Sequence, residues 1–159
     1  YLTWLSDPEV ARYLISALFP TTPDGLVRYY ESVTQDPNQV LFAIADCESD
    51  AHIGNVKLGP ISWTDRRATL GLLLGNKAYW GRGIGTLATR MAVEYAFDRL
   101  DLYRIDLGVF EENKAAIRAY EKVGFKLEGR LREDWYSEGR RQDRLWMGLL
   151  RPEYQREKA

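Results

Sequence analysis

Three glycines at alternate positions carry the first chemical signal in this chain: Gly81, Gly83 and Gly85, within Tyr79-Trp80-Gly81-Arg82-Gly83-Ile84-Gly85-Thr86. The segment follows an apolar run from Leu70 to Leu74 and opens an amphipathic stretch. Glycine has no Cβ, so such a backbone admits a ligand closely. A turn that feeds a helix also aims free N–H groups and the positive end of the helix dipole at one point. That combination binds phosphate, and Arg82 places a cation inside it. Two familiar phosphate binders are excluded by spacing. The dinucleotide fingerprint needs G-x-G-x-x-G, and here the third glycine arrives one residue early, at Gly85. A triphosphate-binding loop ends in Gly-Lys-Ser/Thr, whereas Thr86 follows Gly85 directly.

The stretch from Trp80 to Gly85 resembles the Q/R-x-x-G-x-G/A signature of the GNAT superfamily of acyl-CoA-dependent N-acyltransferases. Trp80 stands where Gln or Arg is usual. That departure is shared by a branch containing ribosomal-protein N-terminal, polyamine and some amino-sugar acetyltransferases. A second stretch, from Asn113 through Ala116, Tyr120, Lys122 and Gly124 to Phe125, resembles the signature N-x-x-A-x-x-x-Y-x-K-x-G-F. Two signatures in the expected order are far more specific than either alone. The resemblance implies acetyl-CoA as cosubstrate, with no metal. It also implies transfer of the acetyl group to a primary amine by direct attack through a tetrahedral intermediate.

Such a reaction needs a neutral amine, stabilisation of an oxyanion and a proton for the departing thiolate. Tyr120 is the expected acid, because a phenol with pKa near 10 can protonate a thiolate of comparable basicity. Read without the resemblance, the same tyrosine is a core residue under a sheet; the resemblance turns the reading to the acid. Asn113 is a helix N-cap by position, and the resemblance adds a hydrogen bond to the pantetheine arm of CoA. The resemblance also gives cofactor contacts to Gly81, Arg82, Gly83, Ile84, Gly85 and Thr86, and to the backbone of Leu72 and Leu74, which would pair with pantetheine like an added strand; Arg118, on the helix of Asn113, can reach a CoA phosphate or stand solvated on the surface. The base is less determined. Many relatives carry a carboxylate on the central strand in a pattern like A-E-I-G, and this chain reads Ala68-Thr69-Leu70-Gly71. Glu111, with Glu112 beside it, can deprotonate an amine through water; Asp65, Glu133, Asp134 and His52 are further candidates, each also readable as surface. A water-relayed base, or none, is the expectation. Trp63, Trp135 and Tyr136, with Trp4, are candidates to line the acceptor pocket, each readable also as core packing. The acceptor stays open among a peptide α-amine, a polyamine and an amino-sugar nucleotide. A catalytically idle acyl-CoA sensor or scaffold module of the same fold is the alternative function.

These groups require elements to hold them. Asp7-Pro8-Glu9 predicts a helix to about Ile15, and Thr22-Pro23-Asp24 a second to about Gln35. Strands are predicted at Val40 to Ala45, His52 to Ile61 and Ala68 to Gly75. From Ile84 a helix is predicted whose buried face includes Leu87, Ala88, Met91, Ala92 and Tyr95. Tyr103 to Phe110 reads as a strand, Asn113 to Gly124 as a helix with its stop, and Phe125 to Leu150 as a hairpin turning at Ser137-Glu138-Gly139. The predicted fold is α/β: residues 1–159 form a single acyl-CoA N-acyltransferase domain with a mixed, mostly antiparallel sheet flanked by helices. Its element order matches the GNAT order with the first strand missing, which is expected to precede Tyr1.

Composition is that of an ordinary globular domain, 45% hydrophobic and 28% charged, with a formal net charge of −1. Neither a nucleic-acid platform nor a membrane span is indicated. The charge is uneven: residues 1–50 hold eight acids against two bases, which suits a cationic acceptor. Cys47 is the only cysteine, so no internal disulfide forms; a reducing, cytoplasmic setting and a buried place on a strand are expected for it. The C-terminal hairpin of this fold often supports a homodimer.

Overall fold

The computed structural model describes residues 1–14, 21–137 and 139–158. The predicted helix limit at Ile15 and the turn residue Glu138 lie outside the described residues. Two short helices open the chain, α1 (Leu2–Leu5) and α2 (Pro8–Ala11). Asp7 caps α2 by accepting the Glu9 N–H at 3.0 Å, and Pro8 begins its first turn, where a missing N–H costs nothing. Thr22 does the same for α3 (Pro23–Gln35), accepting from Gly25 at 3.1 Å.

Then come β1 (Val40–Ala45), β2 (His52–Ser62), β3 (Arg67–Leu74), α4 (Ile84–Glu94), β4 (Arg104–Phe110), α5 (Lys114–Glu121), β5 (Lys126–Ser137), β6 (Arg140–Leu150) and α6 (Arg151–Lys158). The strands form one six-stranded sheet in the order β1-β2-β3-β4-β6-β5. Only β3 and β4 run parallel, and they pair over three positions: Arg67 with Arg104, Ala68 with Ile105, Thr69 with Asp106. Beyond Thr69, β3 stays paired with β2 as far as Leu74. Beyond Asp106, β4 stays paired with β6 as far as Phe110. The two central strands therefore part, and each leaves one backbone edge unpaired over the rest of its length.

One side of the sheet carries the core. Ile105, Leu107 and Val109 on β4 pack with Leu58, Leu70, Met147 and Leu149 against Ala92, Val93, Ala96 and Phe97. Beyond α4 the helix widens into a π-turn, Tyr95–Arg99, which sets Tyr95 against Phe42 (5.0 Å between rings) and Phe97 against Tyr154 (5.1 Å). The helical register thus differs from the expectation. Leu87 and Met91 are 57% and 61% exposed, whereas Thr89, Ala92 and Val93 face the core. Small residues let α4 lie close to the sheet, so the apolar face is read more truly from Ala92, Val93 and Ala96. Cys47 lies exposed in the β1–β2 turn rather than buried on a strand, because Asp46 accepts the N–H groups of Glu48 and Ser49 and ends β1 there. The terminal helix α6 was not foreseen; it docks through the Tyr154 hydroxyl, which donates to Asp98 at 2.7 Å. No strand precedes α1 among the described residues.

Candidate active site

The glycine turn sits where β3 leaves the sheet. Asn76 caps a single 3₁₀ turn, Lys77–Tyr79, and the Trp80 indole swings back to donate to the Leu74 carbonyl at 2.8 Å. This bond fastens the turn to the end of β3. It gives Trp80 a structural role in the turn. Gly81 and Gly83 adopt φ of 72° and 79°, the left-handed region that side chains resist. No atom lies within 4 Å of where a Cβ would stand on either, so the backbone there faces open space. Gly83 begins α4 without a side-chain cap, and the first intrahelical bond runs from the Leu87 N–H to the Gly83 carbonyl at 3.0 Å. The N–H groups of Ile84, Gly85 and Thr86 thus meet no capping side chain. Arg82 adds its guanidinium, 5.0 Å from the Tyr79 ring. The turn offers what a pyrophosphate requires.

The parted strands open beside that turn. Leu72 and Leu74 border the opening on β3 and are half-buried. The Leu72 side chain approaches Gly85 (3.4 Å to an added Cβ), joining strand and turn. Asn113 accepts the Ala116 N–H at 3.1 Å and starts α5 where β4 ends. Tyr120, on that helix, is 7% exposed. Burial pushes its phenol up to about 12, which holds the proton on the oxygen until a stronger base appears. Arg118 is exposed on the same helix.

The carboxylates after β4 are taken. Glu111 pairs with Arg130 at 2.9 Å, and Glu112 makes two bonds of 2.7 Å to Arg140. Of the other acids, Asp134 pairs with Arg144 at 2.8 Å and Asp65 lies 3.7 Å from Arg67. Glu133 sits at φ 51° in a bulge of β5, its N–H donating to Asp143 at 2.7 Å. Backbone N–H donation from Glu133 and the Arg130 guanidinium hold the Asp143 carboxyl below its usual range. His52 contacts the Gly54 carbonyl and Asn55 Oδ1, each at 2.9 Å, with Trp4 against its ring.

The aromatic residues divide. Trp135 stands edge-on to Phe110 at 5.2 Å, and Tyr13 approaches the same ring at 5.5 Å, so both gather at the open end of β4. Tyr136 is exposed beside Arg141. Trp63 precedes Arg67, at the closed end of the parallel pair, and donates to Asn38 at 3.0 Å. Trp4 covers Gly75, where an added Cβ would meet its ring at 1.9 Å. Two residues beside the opening were not singled out by the sequence. Tyr13 had no motif to mark it. Asp106, which accepts from the Thr69 hydroxyl at 2.8 Å, could have been found from the alternation of β4, which sets Arg104, Asp106, Gly108 and Phe110 on the face opposite the core.

Comparison with known proteins agrees with this geometry. Residues 1–126 match the family model described as an acetyltransferase (GNAT) domain. The spermidine N(1)-acetyltransferase of Escherichia coli K12 is 30% identical over 151 residues, covering 95% of this chain and 74% of that protein. YdaF of Bacillus subtilis, a candidate ribosomal N-acetyltransferase, is 31% identical over 105 residues, covering 66% of this chain and 57% of its own. The Vibrio cholerae spermidine N-acetyltransferase, solved with CoA and spermine, superposes with a TM-score of 0.88 at 28% identity. That match covers 97% of this chain and 89% of the other. A sheet parted beside an uncapped, glycine-led helix, in a chain that matches along its length, identifies a member of the GNAT acetyltransferase family, an acetyl-CoA-dependent N-acetyltransferase.

Proposed function

We propose that the protein acetylates a primary amine of a polyamine by direct attack on the acetyl-CoA thioester. The parting of β3 and β4 beyond Thr69 and Asp106 carries the reading. It supplies an unpaired backbone edge, Leu70 to Leu74, with which the pantetheine amides can pair, and one of those N–H groups can face the developing oxyanion. Gly81 to Thr86 and Arg82 receive the pyrophosphate, Asn113 and Arg118 lie along the cofactor's other side, and Tyr120 supplies the proton to the departing thiolate. Trp135 and Tyr136 belong to the acceptor side. Glu111 acts there only if Arg130 releases it.

A polyamine is favoured over the other acceptors by similarity to spermidine acetyltransferases across 95% and 97% of the chain. The acidic front gives less support than its composition promised. Asp7 and Glu9 are engaged by Lys77 at 2.7 and 3.0 Å, and Asp36 and Asp46 are held in turns. The test is CoA release from acetyl-CoA with separate pools of spermidine and spermine, N-terminal peptides, aminoglycosides and amino-sugar nucleotides. Release with the polyamines alone is expected. Release with peptides alone would move the acceptor to protein N-termini, and binding of acetyl-CoA without release from any pool would point to the idle module.

A further inference from the structure

Thr69 and Asp106 are the last paired residues before β3 and β4 part. Ala68 and Leu70 on β3, and Ile105 and Leu107 on β4, belong to the core. Strand alternation therefore turns Thr69 and Asp106 to the opposite face. There Asp106 is 3% exposed, its Oδ1 accepts from Thr69, and its Oδ2 lies 3.4 Å from Arg104 Nε. The carboxylate borders a cavity of about 250 Å³ lined also by Ser62, Arg67, Thr69 and Trp146. Above it, toward the opening, Gly71 leaves β3 bare, with nothing within 4 Å of an added Cβ. Arg144 and Trp146 wall the Gly108 side, within 2.9 and 3.1 Å of where its Cβ would be.

Charge favours a cation in this place. Arg104 is engaged in a two-point pair with Glu128, whose carboxylate lies across Gly148, the residue opposite Asp106 on β6. Arg67 is half-exposed and faces Asp65 at 3.7 Å. Arg104 and Glu128 offset each other, as do Arg67 and Asp65, and Arg144 and Asp134, so the negative charge of Asp106 is left over. A carboxylate offers about four lone-pair sites, and Thr69 and Arg104 occupy two.

We propose that Asp106 is the acceptor-side carboxylate of this enzyme: held by Thr69 at the point where the strands part, it takes the proton of the incoming ammonium, through a water in the cavity. The proposal deepens the acetyl-transfer reading and rests on it. The ammonium N–H bond breaks and its proton passes to the Asp106 carboxylate. The freed amine pair forms the N–C bond to the thioester carbon. The C–S pair leaves as thiolate and takes the Tyr120 proton, and the second amine proton restores Tyr120. Asp106 then returns its proton to solvent, so the net products are the N-acetyl amine, CoA thiol and one proton. The carboxylate missing from position 69 is thereby supplied from the neighbouring strand.

The experiment compares wild type, Asp106→Asn, Thr69→Val and the exchange Thr69→Glu/Asp106→Thr, reading kcat/KM for the amine across pH and acetyl-CoA Kd by titration calorimetry. Asp106→Asn is expected to lower kcat/KM by about 100-fold or more. Its acetyl-CoA Kd should stay within about twofold. The exchange variant is expected to recover at least about tenfold, which a packing role would not predict. Should Asp106→Asn not fold, Thr69→Val carries the test through an expected loss of about tenfold in kcat/KM with the same Kd. Wild-type activity in Asp106→Asn, a proportional loss of acetyl-CoA binding, or an unaltered Thr69→Val would overturn the assignment. A silent wild type, tested with every amine pool, would bring down the acetyl-transfer reading itself and this assignment with it.

Discussion

Removing one oxygen atom from the buried phenol tests the proposed chemistry most directly. In Tyr120→Phe the ring keeps its tilted contact with Phe125 at 6.0 Å and its place in the core. The hydroxyl contributes little to the fold. Burial away from water is what raises its pKa. Deleting a hydroxyl that makes no hydrogen bond among the described residues changes stability by within about 1 kcal/mol, on either side of zero. For a chain of 159 residues that is a shift in Tm of about 4 °C at most. The effect on turnover is larger. A positioned acid contributes on the order of 100-fold or more, about 2.7 kcal/mol of barrier. Acetyl-CoA binding, which the proposed function gives to the glycine turn and the β3 edge, should be unaffected. The assay pairs steady-state kinetics of CoA release with calorimetric Kd and a thermal melt. Undiminished kcat, or a Kd that weakens in step with kcat, would refute the role of Tyr120 as acid. A melt lowered by more than about 8 °C would show that the hydroxyl was structural after all.

Gly83→Ala places a methyl group at φ 79° in open space, so its cost is backbone strain alone. Stability should fall by roughly 1–2 kcal/mol, and acetyl-CoA Kd should weaken severalfold as the first-turn N–H groups tilt; unchanged binding would remove the turn from the cofactor site. Burial raises the phenols of Tyr1 and Tyr120 to about 12 and that of Tyr29 above its ordinary 10.0. The unfolded chain ionises these groups first, near pH 10, so they should make stability fall as pH rises from 10 toward 12 and change nothing below 10. Urea midpoints at pH 8, 10 and 11 check this, and a midpoint that holds constant to pH 11 contradicts it. Leu87→Gln/Met91→Gln should leave stability within about 0.5 kcal/mol per site, since both side chains are exposed; a loss of several kcal/mol in a urea titration would mean that α4 presents a different face to the sheet.

Much of the site was legible because much of it is local. The left-handed glycines, the helix that follows them, Asn113 as a cap and Tyr120 seven residues later are settled within about two turns of helix, by dihedral preference and short-range hydrogen bonds. The strands from β1 to β6 follow from alternation and turn residues, and their predicted limits lie within a residue or two of those observed. The family resemblance rested on these same local segments.

What the sequence left open depends on which strand lies beside which. Glu111 and Arg130 are distant in the chain, and only the β4–β6–β5 order brings them to 2.9 Å, removing a carboxylate that stood free on paper. Thr69 and Asp106 are 37 residues apart, and a parallel register of three pairs makes them partners at 2.8 Å. Leu87 and Met91 fit a helical period but meet no partner, since Ala92, Val93 and Ala96 allow the closer approach to the sheet. The sequence by itself determined the glycine-rich turn, the helix that carries Tyr120 and the strands between them, because those are set by each residue's own backbone and its near neighbours. Tertiary structure alone decided where the sheet parts, which acids are neutralised and which carboxylate remains beside the opening, because charge and hydrogen-bond partners are assigned by strand register, and register is fixed only when the core closes.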